Sequence, residues 1–519
     1  MRRTGGILTL CLLFSGILPV FAFAQVTAWF APGTTKVLRD AKPDTDALQW
    51  ELSAARNETE ACQLVLLSEQ SVGGAKVTVS DFRCGPSGAT LCPKLYKVEY
   101  VPNVVGDTPY PDPLPPLGPL DLQPNSAQPV WISVRVPKEA TPGAYEAAVH
   151  VEANNITRDY PIRLKVWDFI LPGTPSCETA FGLDLASIAR QHGVDAASPE
   201  AKLLYAKYYE MLLDHHISAY TIPADLMSDD AEKYLTDPRM TSYMLPYSED
   251  DGEIQKLAAR LAGREYYAKG YFYATDEPVT KEAYGTVDKI AERLRRNAPG
   301  YRWVVPFFRA PEWTAEGGGS LTAFDLMLGK VNLWCPISNY FDSEPRTRPF
   351  LAERRQLGEK VWWYVCCGPG APYNNFFVDM SAMSHRMLFW QQKRENVQGL
   401  LYWNTTYWNP ACIDNPWTSM MTVKDINALL RGDGSLLYPG KQVGVDGPVS
   451  SQRLEVIRDG LEDFDYLTLA GTWLGEDVAQ RFAATLARTL KDWEQDPKVL
   501  EKVRCELAAM LEQKAKSRE

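Results

Sequence analysis

The chain has 519 residues, 45% hydrophobic and 23% charged, enough apolar material for roughly two to four globular domains with large cores. A formal net charge of -11 argues against a nucleic-acid partner. Ten cysteines at irregular spacing and only five histidines describe neither a disulfide scaffold nor a zinc site, since the CxxC and Cys/His spacings are missing.

The first element in the chain is MRRTGGILTLCLLFSGILPVFAFAQ: Arg2 and Arg3, an apolar run from Ile7 to Phe21, then Ala22-Phe23-Ala24 before Gln25. That is the order of a secretory signal peptide, so residues 1–24 are expected to be removed near Ala24-Gln25, giving a secreted or periplasmic protein. The apolar core is short and no basic stop-transfer cluster follows it, which disfavours an anchor, and no later stretch is apolar enough to span a bilayer. Cleavage removes two arginines and no acids, taking the net charge from -11 to -13, and it removes Cys11. Of the remaining cysteines, Cys84 and Cys92 are close enough in sequence to pair, and Cys366 and Cys367 are adjacent.

Residues 25–172 alternate in the strand period, as in CQLVLLS, AKVTVSDF, LYKVEYVP, PVWISVRVP, YEAAVHVEA and YPIRLKVWDF, with turns such as Thr141-Pro142-Gly143 between them. Many short strands at this spacing predict a β-sandwich. The proline-rich stretch between Pro109 and Pro129 reads as a long, stiff loop within it.

Residues 173–449 change to helices alternating with short apolar strands. AKLLYAKYYEMLLDHH precedes SAYTIP, EIQKLAARLA precedes AKGYFYAT, KEAYGTVDKIAERLRR precedes YRWVVPFF, and VNLWCPI, VWWYVCC and VQGLLYW follow. In KEAYGTVDKIAERLRR the residues Ala283, Val287, Ile290 and Leu294 share one helical face, while the strands are almost continuously apolar, as strands covered by helices must be. With FGLD near residue 181, seven strands are legible and an eighth is not. A (β/α)8 barrel fits best, with a doubly wound open sheet as the alternative. His215-His216 ends a helical pattern and reads as positive charge near a helix C-terminus rather than a metal site. Arg431-Gly432-Asp433 reads as a turn.

Residues 450–519 are amphipathic and helical and are expected to form a C-terminal appendage. Asp459, Glu462, Asp463 and Asp465 lack the alternating spacing of a calcium loop and read as acids in the first turns of a helix.

The chemistry points to Asp276-Glu277 in AKGYFYATDEPVTKEAY. An acidic pair on a turn is ordinarily solvated, but this one ends a buried strand, and in barrels the C-terminal strand ends carry the active site. Side chains alternate along a strand, so both carboxylates can reach one cavity only if the chain bends, which Pro278 would favour. Two carboxyls sharing a pocket separate in pKa, leaving one ionised and one protonated near neutrality, the requirement for general acid catalysis. At other strand ends Tyr340, Tyr364 and Trp403 could stack on a sugar face and Asn404 could bond its hydroxyls, although core packing is the commoner role of such rings. Asn404-Thr405-Thr406 also matches a glycosylation sequon, a reading set aside for a chain of bacterial appearance.

YFYATDEP resembles the catalytic motif of glycoside hydrolase family 123, β-N-acetylgalactosaminidases with an adjacent Asp-Glu pair on a barrel strand. RNETEACQLVLL, PDPLPPLGPL, TPGAYEAAVHV, GLLYWNTTYWN, GDGSLLYPG and RLEVIRDGLEDFDYL are similar to a wide group of secreted bacterial proteins of this architecture, including the domain-of-unknown-function family 4091. The resemblance covers most of residues 50 to 470. It implies that Glu277 is the acid/base and that Asp276 orients the 2-acetamido group of the substrate, whose oxygen attacks the anomeric carbon with net retention.

The expected protein is thus a multidomain α and β chain with an N-terminal β-sandwich, a central (β/α)8 barrel and a C-terminal helical appendage. It would act on terminal β-linked N-acetylhexosamine, with Asp276 and Glu277 catalytic, Tyr340, Tyr364, Trp403, Asn404 and Asp184 contacting substrate, and no metal or organic cofactor. Two alternatives stand beside it: a retaining glycosidase using Asp184, Asp342 or Asp414 as nucleophile, and a non-catalytic glycan-binding protein.

Overall fold

The computed structural model describes residues 26–85, 87–154, 156–410, 413–420 and 431–518. The expected signal segment lies outside them. No helix among the described residues is long and apolar enough to cross a membrane.

The alternating segments form two facing sheets. One runs, antiparallel throughout, in the order Val26–Pro32, Glu58–Ser68, Gln128–Val136 and Pro93–Lys97. The other is built around Val72–Val79, Gly143–Ala153 and Ile156–Ile170, with Trp50–Arg56 paired parallel at its edge. Phe30, Leu64, Leu66, Val130 and Ile132 from the first meet Val77, Val149, Ile162 and Leu164 from the second in one buried core, the arrangement that alternation in both sheets dictates. The proline-rich stretch is stitched down at three places: Thr108–Pro111 pairs with Tyr100–Val105, Pro113–Leu114 with Ser450–Ser451, and Leu120–Leu122 with the sandwich strand Val72–Val79.

The helical-alternating region is a barrel of parallel strands. Glu178–Phe181, Gly399–Tyr402, Lys360–Val365, Leu333–Pro336, Arg302–Phe307, Gly270–Phe272 and Tyr243–Leu245 lie side by side in that order. Residues 218–220 close the gap between its two ends. Phe181 donates its amide to the Ser218 carbonyl, Tyr220 donates to Phe181, and Met244 donates to Tyr220. SAYTIP therefore supplies the closing segment, and the strand that was not legible is Tyr243–Leu245. Lys281–Asn297 shows why the helices form and pack: the Thr280 side chain caps its first turn, and Tyr284, Val287, Ile290, Ala291 and Leu294 are buried along one stripe.

The long helix Gln452–Leu474 packs on Ala382–Arg394 on one side and meets His215 and His216, just after Pro199–Asp214, on the other, so it completes the helix ring outside the last strand. Gly460 permits the close approach, because a Cβ there would stand 2.3 Å from the Phe389 ring. Asp459, Glu462, Asp463 and Asp465 lie beyond the first turns of this helix, which corrects the sequence reading. Glu455, Asp459, Glu462, Asp463 and Asp465 are buried within the helix. They are matched by distant partners: Asp463 binds Arg386 at 2.6 Å and Arg504 at 2.7 Å, and Arg504 also pairs with Glu58 and Glu60 of the sandwich. Arg453 pairs with Asp112 of the proline-rich stretch at 2.8 Å, both fully buried. His215 is bonded to Glu455 at 2.9 Å. His216 does not serve as a helix-terminal cation, since burial pushes it down to about 4 and keeps the ring neutral at pH 7.

Removing one partner of a buried ion pair costs about 3–5 kcal/mol. Deleting residues 450–519 would do this at Asp112 and Glu58, would leave Glu60 and Arg386 only each other at 3.7 Å, and would strip cover from Met383, Met387 and Trp390. The truncated protein is expected to be insoluble; recovery of a soluble, fully active truncation, judged by gel filtration and turnover, would contradict this.

Candidate active site

Asp276 and Glu277 lie just past Gly270–Phe272, at the C-terminal mouth of the barrel. The backbone bends at Glu277 itself, whose φ of 43° is in the left-handed region, with its amide donating to the Pro306 carbonyl at 3.1 Å on the next strand. A non-glycine residue pays about 1–2 kcal/mol for that conformation. Such strain persists where the surroundings fix it, and it clusters at functional sites.

Each carboxylate has its own tyrosine. Tyr273 donates its hydroxyl to Asp276 Oδ1 at 2.8 Å, and Tyr364, from Lys360–Val365, donates to Glu277 Oε1. Burial raises the pKa of Glu277; the Tyr364 bond opposes the shift, the Asp276 charge adds to it and Arg309 offsets it. Asp276 stands nearer solvent, yet protein crowding raises its carboxyl too, against the Tyr273 bond. Both tyrosines are held well above their ordinary pKa, chiefly by burial, and so remain donors. Tyr220, at the end of the closing segment, packs edge-on against Tyr273 with centroids 5.9 Å apart. Its buried hydroxyl has no hydrogen-bond partner among the described residues.

Of the other residues singled out in the sequence, Tyr364 joins the carboxylates directly. Trp403 is half-buried, with its indole N–H bound to Asp433 Oδ2 at 2.9 Å and its ring edge-on to Tyr407 at 4.6 Å. Asn404 Oδ1 is committed to its own turn, accepting from the amides of Thr405 and Thr406. Tyr340 is buried with its ring against Phe307 and Phe324. Asp184 caps the helix Leu185–His192, accepting from the Ala186 amide and the Ser187 hydroxyl. Asp342 pairs with Arg348 at 3.2 Å, and Asp414 with Arg190 at 2.8 Å. Among the described residues no group of three or more His, Cys, Asp or Glu side chains is placed to hold a metal ion.

Sequence reasoning missed Tyr220, Tyr273 and Asp433. The two tyrosines stand at or just beyond strand ends, the same signal that singled out Tyr364. Asp433 was hidden in a turn motif: Arg431, Gly432 and Gly434 do take positive φ, but the acid between them is buried and accepts from both Tyr402 and Trp403. Burial raises its carboxyl to about 7 against those two bonds. Gly434, at φ 72°, runs under Trp403, where a Cβ would stand 2.4 Å from the ring. Gly434→Ala is therefore expected to displace Trp403 and raise KM several-fold with a smaller change in kcat; an unchanged KM would place Trp403 outside the substrate contact.

A cavity of about 620 Å³ between residues 221–227 and the helix Asp251–Leu261 includes neither carboxylate in its lining.

Comparison with known proteins bears on the family and the fold. The family model for the glycoside hydrolase 123 catalytic domain matches residues 253–470, and that for the glycoside hydrolase 123 N-terminal domain matches residues 35–153. A family 123 glycoside hydrolase from Clostridium perfringens, studied for glycolipid glycan hydrolysis, has a similar fold with a TM-score of 0.70 at 12% identity, covering 94% of this chain and 98% of its own. A β-D-glucuronidase from Dictyoglomus thermophilum reaches a TM-score of 0.30 at 10% identity, covering 84% of this chain and 68% of its own. A GH2 β-galacturonidase from Eisenbergiella tayi reaches 0.32 at 10% identity, covering 84% and 71%. No curated protein sequence matches the chain. The two family models together take in more than half of the chain, one of them containing Asp276 and Glu277, and the chain belongs to glycoside hydrolase family 123.

Proposed function

We propose that this glycoside hydrolase removes terminal β-linked N-acetylhexosamine, with N-acetylgalactosamine the leading sugar, from glycans outside the cytoplasm, retaining configuration and using the substrate's own acetamido group as nucleophile. One observation carries the reading: two neighbouring carboxyls at the end of a barrel strand, each held by its own tyrosine and each raised in pKa. In the first step Glu277 gives its proton to the glycosidic oxygen as the bond to the anomeric carbon breaks. The acetamido oxygen closes onto that carbon from the other face, while Asp276 accepts the amide N–H and steadies the positive charge that develops. In the second step ionised Glu277 takes a proton from water, which opens the cyclised ring and restores the acetamido group.

The other carboxylates considered as nucleophiles have structural work instead: Asp184 caps a helix, while Asp342 and Asp414 are paired with arginines. This favours the substrate as the source of the nucleophile. Proton NMR of the first-formed product tests the stereochemistry. The β-anomer should appear before mutarotation, and α-anomer appearing first would exclude the mechanism.

A further inference from the structure

We propose that Cys366 and Cys367 are a redox-active thiol pair on the rim of the active site, closed to a disulfide by hydroperoxides and reopened by thiols, and that the closed form hydrolyses substrate more slowly. The eight described cysteines are all free. Cys62, Cys177 and Cys335 are buried, and burial raises their thiols, which makes them poor nucleophiles. The adjacent pair differs. Its sulfurs are 3.9 Å apart, Cys367 is exposed and Cys366 is half-buried. The surrounding backbone is pinned: the Cys366 amide donates to the Gly368 carbonyl at 2.8 Å, and its carbonyl accepts from Asn375 Nδ2 at 2.8 Å. Cys367 is the exposed sulfur, and contact with Cys366 lowers its thiol against the opposing effects of burial and of the Asp433 and Glu277 charges, so Cys367 is the attacking sulfur.

The chemistry is a two-electron oxidation. The Cys367 thiolate attacks the O–O bond of a hydroperoxide, taking up one oxygen as sulfenic acid and releasing the other as alcohol or water. The Cys366 sulfur then displaces that hydroxyl as water and forms the S–S bond. Two thiols and one hydroperoxide become one disulfide, one alcohol (water, for hydrogen peroxide) and one water.

Location gives this a consequence. The pair directly follows Lys360–Val365, the strand whose Tyr364 hydroxyl holds Glu277, and strand alternation puts Tyr364 and Cys366 on the same face. Cys367 is also near enough to Glu277 and Asp433 for their charges to act on its thiol. Drawing the sulfurs into a covalent bond pulls on the end of this strand and shifts the tyrosine that orients the acid.

The effect on turnover rests on the function proposed above; the disulfide itself does not. Wild type, Cys367→Ser and Cys366→Ser are exposed to hydrogen peroxide, digested under thiol-blocking conditions and mapped by mass spectrometry, with hydrolysis of an aryl N-acetylgalactosaminide measured in parallel. In wild type the peptide carrying both cysteines should lose two hydrogens, and turnover should fall about tenfold, the weight of one misplaced hydrogen bond to an ionisable group, and return with dithiothreitol. Cys367→Ser should show neither change, and Cys366→Ser should accumulate a dimedone-reactive sulfenic acid at Cys367. Absence of the two-hydrogen loss in wild type overturns the proposal, as does a disulfide that leaves turnover unchanged or an equal reversible loss in Cys367→Ser. If wild type cleaves no aryl glycoside, the functional reading fails, while the peptide map still decides whether the thiol pair exists.

Discussion

Glu277→Gln is expected to lower kcat/KM by about 10²- to 10⁴-fold on substrates with poor leaving groups, and far less on activated aryl glycosides whose departure needs no proton. The substitution keeps the shape of the side chain and can still accept from Tyr364, so the loss reports the missing proton rather than a collapsed site. It should also change the pH profile. Burial and the Asp276 charge raise the Glu277 carboxyl; the protonated form therefore persists to higher pH than an ordinary glutamic acid, which titrates at about 4.3. If Glu277 is the acid, the alkaline limb of kcat/KM in wild type should report the loss of this proton, and Glu277→Gln should abolish that limb. Equal losses on good and poor leaving groups would remove Glu277 from the acid role.

Asp276→Asn is expected to slow both classes of substrate, because neighbouring-group attack itself is impaired. The carboxylate accepts from Tyr273 with one oxygen, and in the proposed mechanism the other would accept the acetamido N–H. An asparagine offers one acceptor and one NH2 group, so one of those two donors would face another donor. A thiazoline that mimics the cyclised intermediate should inhibit wild type strongly and Asp276→Asn poorly, since it resembles the species the site stabilises. A thiazoline that binds the variant as tightly as wild type would assign Asp276 another role.

Much of this architecture was legible because it depends on local pattern. Alternation over Tyr160–Val166 within Ile156–Ile170 and the apolar stripe of Lys281–Asn297 each declare one buried face, and the fold follows from covering those faces. Tyr243–Leu245 escaped because three residues are too few to show a period; it is a strand only because Gly270–Phe272 and the closing segment flank it. The misread features share one property, that their meaning comes from partners far along the chain. The acids of RDGLEDFDYL look like acids at a helix start until Arg386, Arg504 and the sandwich glutamates are placed around them. Asp433 looks like a turn residue until Tyr402 and Trp403 close over it. At the site, position at a strand end and the adjacency of two acids pointed to Asp276-Glu277, but the bend was expected from Pro278, whereas the left-handed backbone is that of Glu277.

The central claim is that the substrate supplies the nucleophile. Its most direct test compares wild-type hydrolysis of two aryl β-glycosides that differ only in carrying a 2-acetamido or a 2-hydroxyl group, the galactosamine derivative and the galactoside. Rapid cleavage of the first and none measurable of the second is the predicted result. Comparable cleavage of both, together with covalent labelling of Asp184, Asp342 or Asp414 by a fluorosugar, would contradict it.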